Sequence, residues 1–192
     1  LGLEKKDGAS VKILLSAEQI EKRVRELAKQ ISGDYRGRTC MAIGVLENGF
    51  MFMADLVRQL DVPVICQFLK PAMNEKVQGK SATTEIFYNQ QIDVKAQHVL
   101  LVEGLVQSGI TSDYLMHNML SKGAASVKLA AFLDKSSARR VALRPDYFGF
   151  ILDESFVTGY GLGSPVLGRN LPYIQVTGGN TRMAGSPEET IR

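Results

Sequence analysis

The sequence predicts an α/β protein: a doubly wound, mainly parallel sheet with a small hood lobe beside it. Two observations predict the sheet. Apolar runs that stay apolar at consecutive positions recur at RTCMAIGVL (38–46), VPVICQFL (62–69), HVLLVEGLV (98–106) and SVKLAAFL (126–133). Strands of that kind are buried on both faces, as in a parallel sheet covered by helices, and segments with helical apolar spacing alternate with them. A third observation predicts the hood. From Ser136 onward the pattern breaks into short, loop-rich pieces, FGFIL and then SFVTGYGLGSPVLGRNLPYIQV.

The elements follow in chain order. Ser16 and Gln19 form a capping-box pair, and Ile20, Val24, Leu27, Ala28 and Ile31 recur on one face of a helix ending near Gly33. The run 38–46 is a strand; Glu47-Asn48-Gly49 breaks it, and Phe52, Met53, Leu56, Val57 and Leu60 return with helical spacing. After the strand at 62–69, the polar stretch Lys70 to Lys80, with Pro71 and Gly79, reads as a mobile loop leading to a short strand near 84–88. His98 to Val106 is a strand placed near the sheet centre. It is followed by the turn Gln107-Ser108-Gly109 and a helix carrying Leu115, Met116, Met119 and Leu120. Residues 126–133 add one more buried strand.

Loops at 47–49, 70–80, 103–111 and 134–137 all follow strands, so they share the carboxyl edge where ligands of such sheets bind. The hood is expected over that edge.

A chain of 192 residues with 45% apolar content is long enough for one well-buried core plus an attachment. The expected organisation is a single domain over 11–176, with its core at about 34–135. The hood takes about 136–176 and the N-terminal segment, and 177–192 is a polar peripheral tail. The net charge of +3 is spread along the chain, with no basic block interleaved with aromatics, which argues against nucleic acid. No apolar run reaches the length of a membrane span, and Leu1 to Ser10 lacks the apolar segment of a secretory signal. The expectation is a cytoplasmic protein with no membrane partner. Cys40 and Cys66 lie inside apolar runs and read as two buried thiols, in keeping with a reducing compartment.

The stretch VLLVEGLVQSGIT (99–111) begins as a buried strand and ends as a turn into a helix. Gln107, Ser108, Gly109, Ile110 and Thr111 present backbone N–H groups at the positive end of a helix dipole, with the hydroxyls of Ser108 and Thr111 beside them. That chemistry holds a phosphate. The same residue types also serve a plain strand-to-helix turn, where Ser, Gly and Thr bend and cap the chain.

The stretch resembles the phosphoribosyl-diphosphate signature of type I phosphoribosyltransferases, in which a strand ending in two acids leads into Asp-Thr-Gly-x-Thr. From about Val11 to Val176 the chain resembles hypoxanthine-guanine phosphoribosyltransferase, through AIGVLENGFMFMADL, AAFLDKSSARR, PDYFGFILDESFVTGYGL and RNLPYI in family order. The resemblance implies the type I phosphoribosyltransferase fold, purine salvage chemistry on 6-oxopurines such as hypoxanthine, and a homo-oligomer, dimer or tetramer.

It also implies residue roles. Lys135 would hydrogen-bond the exocyclic oxygen of the purine, Phe156 would stack on the base, and the backbone of Val157 would read the purine edge. Ser108 to Thr111 would grip the 5′-phosphate, and Arg169 would reach the diphosphate. A base offers a π-face and a carbonyl, so an aromatic plate and a cation suit it. Without the resemblance, Lys135 would pass for a solvated lysine and Phe156 for a core residue.

Five departures from the family pattern gather on the catalytic edge. Glu103 keeps the first acid of the pair, but Gly104 replaces the second. Gln107 stands where the family places the aspartate thought to accept the purine N7 proton, and Gly163 where it has a magnesium-associated aspartate. Glu47-Asn48 replaces a Lys-Gly pair in the diphosphate loop, and no Ser-Tyr pair lies between Phe68 and Gly79. Glutamine is no general base near neutral pH, and a general base contributes about 10²- to 10⁴-fold. Glu47 sets a negative charge where a positive one belonged, leaving Arg169 as the remaining cation, and Glu103 alone offers magnesium a weak site.

The expectation is therefore a protein that binds a purine nucleoside monophosphate, IMP or GMP, with transfer activity weak or lost. The alternative is an active hypoxanthine phosphoribosyltransferase with an atypical site, its magnesium held by substrate and water. A third is a structural partner of an active paralogue. On the first reading, Gly104→Asp, Gln107→Asp and Gly163→Asp together should recover far more turnover than any one alone.

Overall fold

The computed structural model describes residues 12–78, 81–87, 92–152, 156–163 and 167–176. Along the chain run β1 (Lys12–Leu15), α1 (Ala17–Asp34), β2 (Cys40–Val45), α2 (Phe50–Val57), β3 (Val64–Leu69), β4 (Ala72–Gln78) and β5 (Ser81–Phe87). Then come β6 (His98–Val106), α3 (Ile110–Ser121), β7 (Ser126–Asp134), a 3-10 turn (Ser136–Ala138), β8 (Tyr147–Ile151), β9 (Val157–Thr158) and β10 (Ile174–Val176).

The two-sided apolar runs form a five-stranded sheet in the order β3-β2-β6-β7-β8, every neighbouring pair parallel. As the sequence predicts, β6 is central. Successive residues of each strand point to opposite faces, and the two cores divide accordingly. Cys40 and Ala42 of β2, Leu100 and Val102 of β6, and Ala130 and Phe132 of β7 face α1 and α2. Met41, Ile43, Val99, Leu101, Leu129 and Ala131 face Leu115 and Met119 of α3.

Helix α1 begins at the capping box of Ser16 and Gln19, and it buries the five apolar residues its spacing marks. Phe132 is the junction of the larger core. Its ring centroid lies 5.5 Å from Phe52 of α2, 5.8 Å from Phe150 of β8 and 4.7 Å from Tyr160 beyond β9.

Four findings differ from the sequence reading. Residues 147–151 are not hood material but the fifth strand of the core sheet, because β8 takes up the open edge of β7. The polar stretch after Leu69 is not a loop: β4 pairs antiparallel with β5 from Ala72↔Phe87 to Gln78↔Ser81. Backbone pairing needs no apolar residues, so composition hid it; residues 79, 80 and 88 lie outside the described residues. Cys40 is buried but Cys66 is exposed, because β3 is an edge strand and Ile65 and Phe68 are exposed beside it. Leu120 of α3 is likewise exposed, on the flank of the helix away from the sheet.

Beside the core, β1, β10 and β9 form a small antiparallel sheet. The chain between β9 and β10 packs on the carboxyl ends of β2 and β6: Gly161 lies against the backbone of Asn48, and Leu162 against Gly104. The Tyr160 hydroxyl donates to Asp55 Oδ2 of α2 at 2.6 Å. The expected tail, 177–192, lies outside the described residues. No helix among the described residues is long and apolar enough to cross a membrane.

Candidate functional site

Strand β6 leaves the sheet through Gly109, whose φ of 79° is a left-handed conformation that favours glycine. Helix α3 starts at the next residue. Here lies a cavity of about 220 Å³ lined by Asn48, Glu103, Leu105, Val106, Gln107, Ser108, Gly109, Thr111 and Ser112. The residues of the expected phosphate turn are thus gathered around one space, with Glu103 on its wall. A larger cavity of about 420 Å³, lined from α1, α2, Tyr160 and residues 170–172, shares no residue with it.

The carbonyl side of the turn is tied to the chain after β7. Lys135 N donates to Val106 O, and Arg140 N to Ser108 O, both at 2.9 Å. Arg139 Nη1 donates to Gln107 O at 2.9 Å, and Arg139 is also paired with the buried Asp134.

Glu103 is buried, and its Oε1 finds no hydrogen-bond partner among the described residues. Burial raises its carboxyl to about 7, against the opposing effects of a Ser112 hydrogen bond and the Arg139 charge.

On the expected diphosphate side, Glu47 holds two ion pairs. Its Oε1 meets Lys70 Nζ at 2.7 Å and its Oε2 meets Arg169 Nη1 at 2.6 Å. Lys70 and then Arg169 hold the Glu47 carboxyl below its usual range. The sequence reading left Arg169 as the one cation and Glu47 as an opposing charge. Here Lys70 is a second cation, and the carboxylate occupies both.

The two positions where the family pattern would place further acids are closed to side chains. A Cβ on Gly104 would stand 2.2 Å from Asn48 O, and one on Gly163 (φ +104°) would stand 2.8 Å from Thr158 Oγ1. That packing argues against the expected recovery of turnover by Gly104→Asp, Gln107→Asp and Gly163→Asp together. Magnesium is the ion the family pattern implies, and the donor set does not fit one held by the protein: among the described residues Glu103 is the one carboxylate on the cavity wall, the Gly104 position is filled by the Asn48 backbone, and that of Gly163 by the Thr158 side chain.

On the purine side, Lys135 is half-buried after β7, Val157 is buried in β9, and the Phe156 ring is 65% exposed at the head of that strand. None of the three lines the 220 Å³ cavity. The sequence reading missed Ser112, one helical turn after Ser108, together with Lys70, Asp134 and Arg139. The last two flank Lys135 in LDKSSARR, where the charged residues were quoted for resemblance but not given roles.

The phosphoribosyl transferase domain family matches residues 10–165. The chain is 34% identical over 165 residues to hypoxanthine-guanine phosphoribosyltransferase of Bacillus subtilis, covering 86% of this chain and 92% of that protein. It is 35% identical over 168 residues to the protein of the same name from Aquifex aeolicus, covering 87% and 94%. It also matches the bifunctional protein TilS/HprT of Listeria innocua at 34% identity, covering 86% of this chain but 26% of that longer protein. A crystal structure of a hypoxanthine-guanine phosphoribosyltransferase from Bacillus anthracis superposes with a TM-score of 0.77 at 31% identity, covering 91% and 99% of the two chains. A ternary substrates complex of hypoxanthine phosphoribosyltransferase from Trypanosoma cruzi gives 0.78 at 34% identity, covering 88% and 95%.

Proposed function

We propose, from the premise that this chain belongs to the hypoxanthine-guanine phosphoribosyltransferase family of type I phosphoribosyltransferases, that it binds a purine nucleoside 5′-monophosphate, IMP or GMP, and transfers phosphoribosyl weakly or not at all. The observation that carries this reading is the contrast between the two halves of the site. The phosphate turn is open, polar and braced. On the diphosphate side, Lys70 and Arg169 are already paired with Glu47, and Gly104 is covered by Asn48.

In this reading the N–H groups of the turn and the Ser108 and Thr111 hydroxyls hold the 5′-phosphate, which needs no metal. Lys135, Phe156 and Val157 take the base, with Phe156 closing on it from its exposed position. Gln107 stands in the base position and cannot accept the purine proton near neutral pH. A homo-oligomer and a cytoplasmic setting belong to the same proposal, by likeness to the relatives.

A second reading, an active hypoxanthine phosphoribosyltransferase with an atypical site, is favoured by one observation. Glu103 keeps an unpaired oxygen on the cavity wall at an energetic cost, as a carboxylate serving the ribose hydroxyls or a substrate-borne ion would. Turnover of hypoxanthine and guanine with phosphoribosyl diphosphate and magnesium, beside calorimetry with IMP and GMP, separates the two. Nucleotide binding without diphosphate release supports the first; steady turnover supports the second.

A further inference from the structure

We propose that Arg139 is a positioning residue for the phosphate turn: held by Asp134, it fixes the Gln107 carbonyl from behind and so turns the backbone N–H groups of the turn toward the cavity. The proposal rests on the nucleotide-binding reading above and adds a residue distant from the turn in sequence.

Three consecutive carbonyls, those of Val106, Gln107 and Ser108, are taken by the chain after β7. These peptides are trans, and in a trans unit the C=O and N–H point to opposite sides. Carbonyls drawn toward residues 135–140 therefore leave the N–H groups of Gln107, Ser108 and Gly109 facing the other way. The same residues and Thr111 line the cavity. Successive N–H groups turned to one side make an anion-binding concavity.

Arg139 suits this task better than gripping the ligand itself. Its side chain is 12% exposed and that of Asp134 is 9% exposed, so its charge is answered before any ligand arrives. Its stem packs under the turn: a Cβ on Gly109 would stand 2.9 Å from Arg139 Cδ and 3.2 Å from Nη1. Glycine and arginine are thus fitted to each other, and a swing of the Gln107 peptide would break its bond to Arg139 Nη1. Buried ion pairs add little net stability over apolar replacements, and fixing a register is their best-attested use. The register here lies between the turn and the segment carrying Lys135, so both ends of one nucleotide would be held at a set spacing.

The test uses the whole chain with Arg139→Lys, Arg139→Met, and the double variant Asp134→Leu with Arg139→Met. The double variant removes both buried charges and so guards against simple unfolding. Titration calorimetry with GMP and with guanosine separates the phosphate from the base, and backbone amide order parameters of residues 107–111 from NMR relaxation without ligand read the rigidity of the turn directly. Arg139→Met and the double variant should lose about tenfold on GMP with guanosine unchanged, while Arg139→Lys recovers part of the loss. Order parameters at Gln107 to Gly109 should fall, with those of α1 unaffected. Undiminished GMP affinity in a folded double variant, equal losses for GMP and guanosine, or unchanged order parameters in the turn would overturn the proposal. If the wild type binds neither GMP nor guanosine, the nucleotide reading has failed, and the order parameters by themselves decide whether Arg139 holds the turn.

Discussion

Replacing Glu103 with glutamine should make the protein more stable at pH 8 and slightly less stable at pH 4.5. In the folded protein, burial raises this carboxyl from 4.5 to about 7, so the folded state holds a proton that the unfolded chain releases. Between those values stability falls as pH rises, and above both the full penalty is present. The shift corresponds to roughly 3 kcal/mol. The variant removes the charge but buries an amide whose NH₂ has no assured acceptor, which costs about 1 kcal/mol of the gain. A net stabilisation of about 2 kcal/mol at pH 8 remains, and it turns into a deficit of up to about 1 kcal/mol as pH approaches the unfolded value.

Urea unfolding of both proteins at pH 4.5, 6 and 8 measures it, since the difference between them isolates this one group from every other titration. Binding supplies the other half. If the carboxylate is kept for a ligand's hydroxyls, the stabilised variant should bind GMP about tenfold more weakly. A stability difference that is the same at all three pH values, or absent at pH 8, would show that Glu103 is not buried ionised as described.

Glu47→Lys should raise the affinity for phosphoribosyl diphosphate selectively and leave IMP and GMP little changed, measured by calorimetry; equal effects on both ligands would remove Glu47 from the diphosphate side. Gly104→Asp, whose Cβ would meet Asn48 O at 2.2 Å, should destabilise by about 1–3 kcal/mol and yield no gain in turnover; a variant with unchanged melting temperature and higher turnover would refute the steric reasoning. Lys135→Ala should weaken IMP and GMP binding without affecting inorganic phosphate, and equal losses for phosphate would place Lys135 outside base recognition.

The sheet was legible in the sequence because burial on both faces forces apolar residues at consecutive positions, and 38–46, 98–106 and 126–133 obey that rule. Helix α1 was legible for an equally local reason, a capping box followed by a 3.6-residue stripe. The turn at 107–109 was legible because a sharp exit from a strand into a helix favours a glycine such as Gly109.

What only the tertiary structure decided was made by pairs far apart in the chain. Lys70, Glu47 and Arg169 meet across 122 residues, Asn48 lies on Gly104, and Arg139 reaches back 32 residues to Gln107. The edge strand β8 and the exposure of Cys66 likewise depend on which neighbour a strand finds. A glycine where an acid is expected can be seen in one residue. Whether its place stands open, is filled by another backbone, or is neutralised by a distant cation is set by through-space packing, and local sequence pattern carries no record of that.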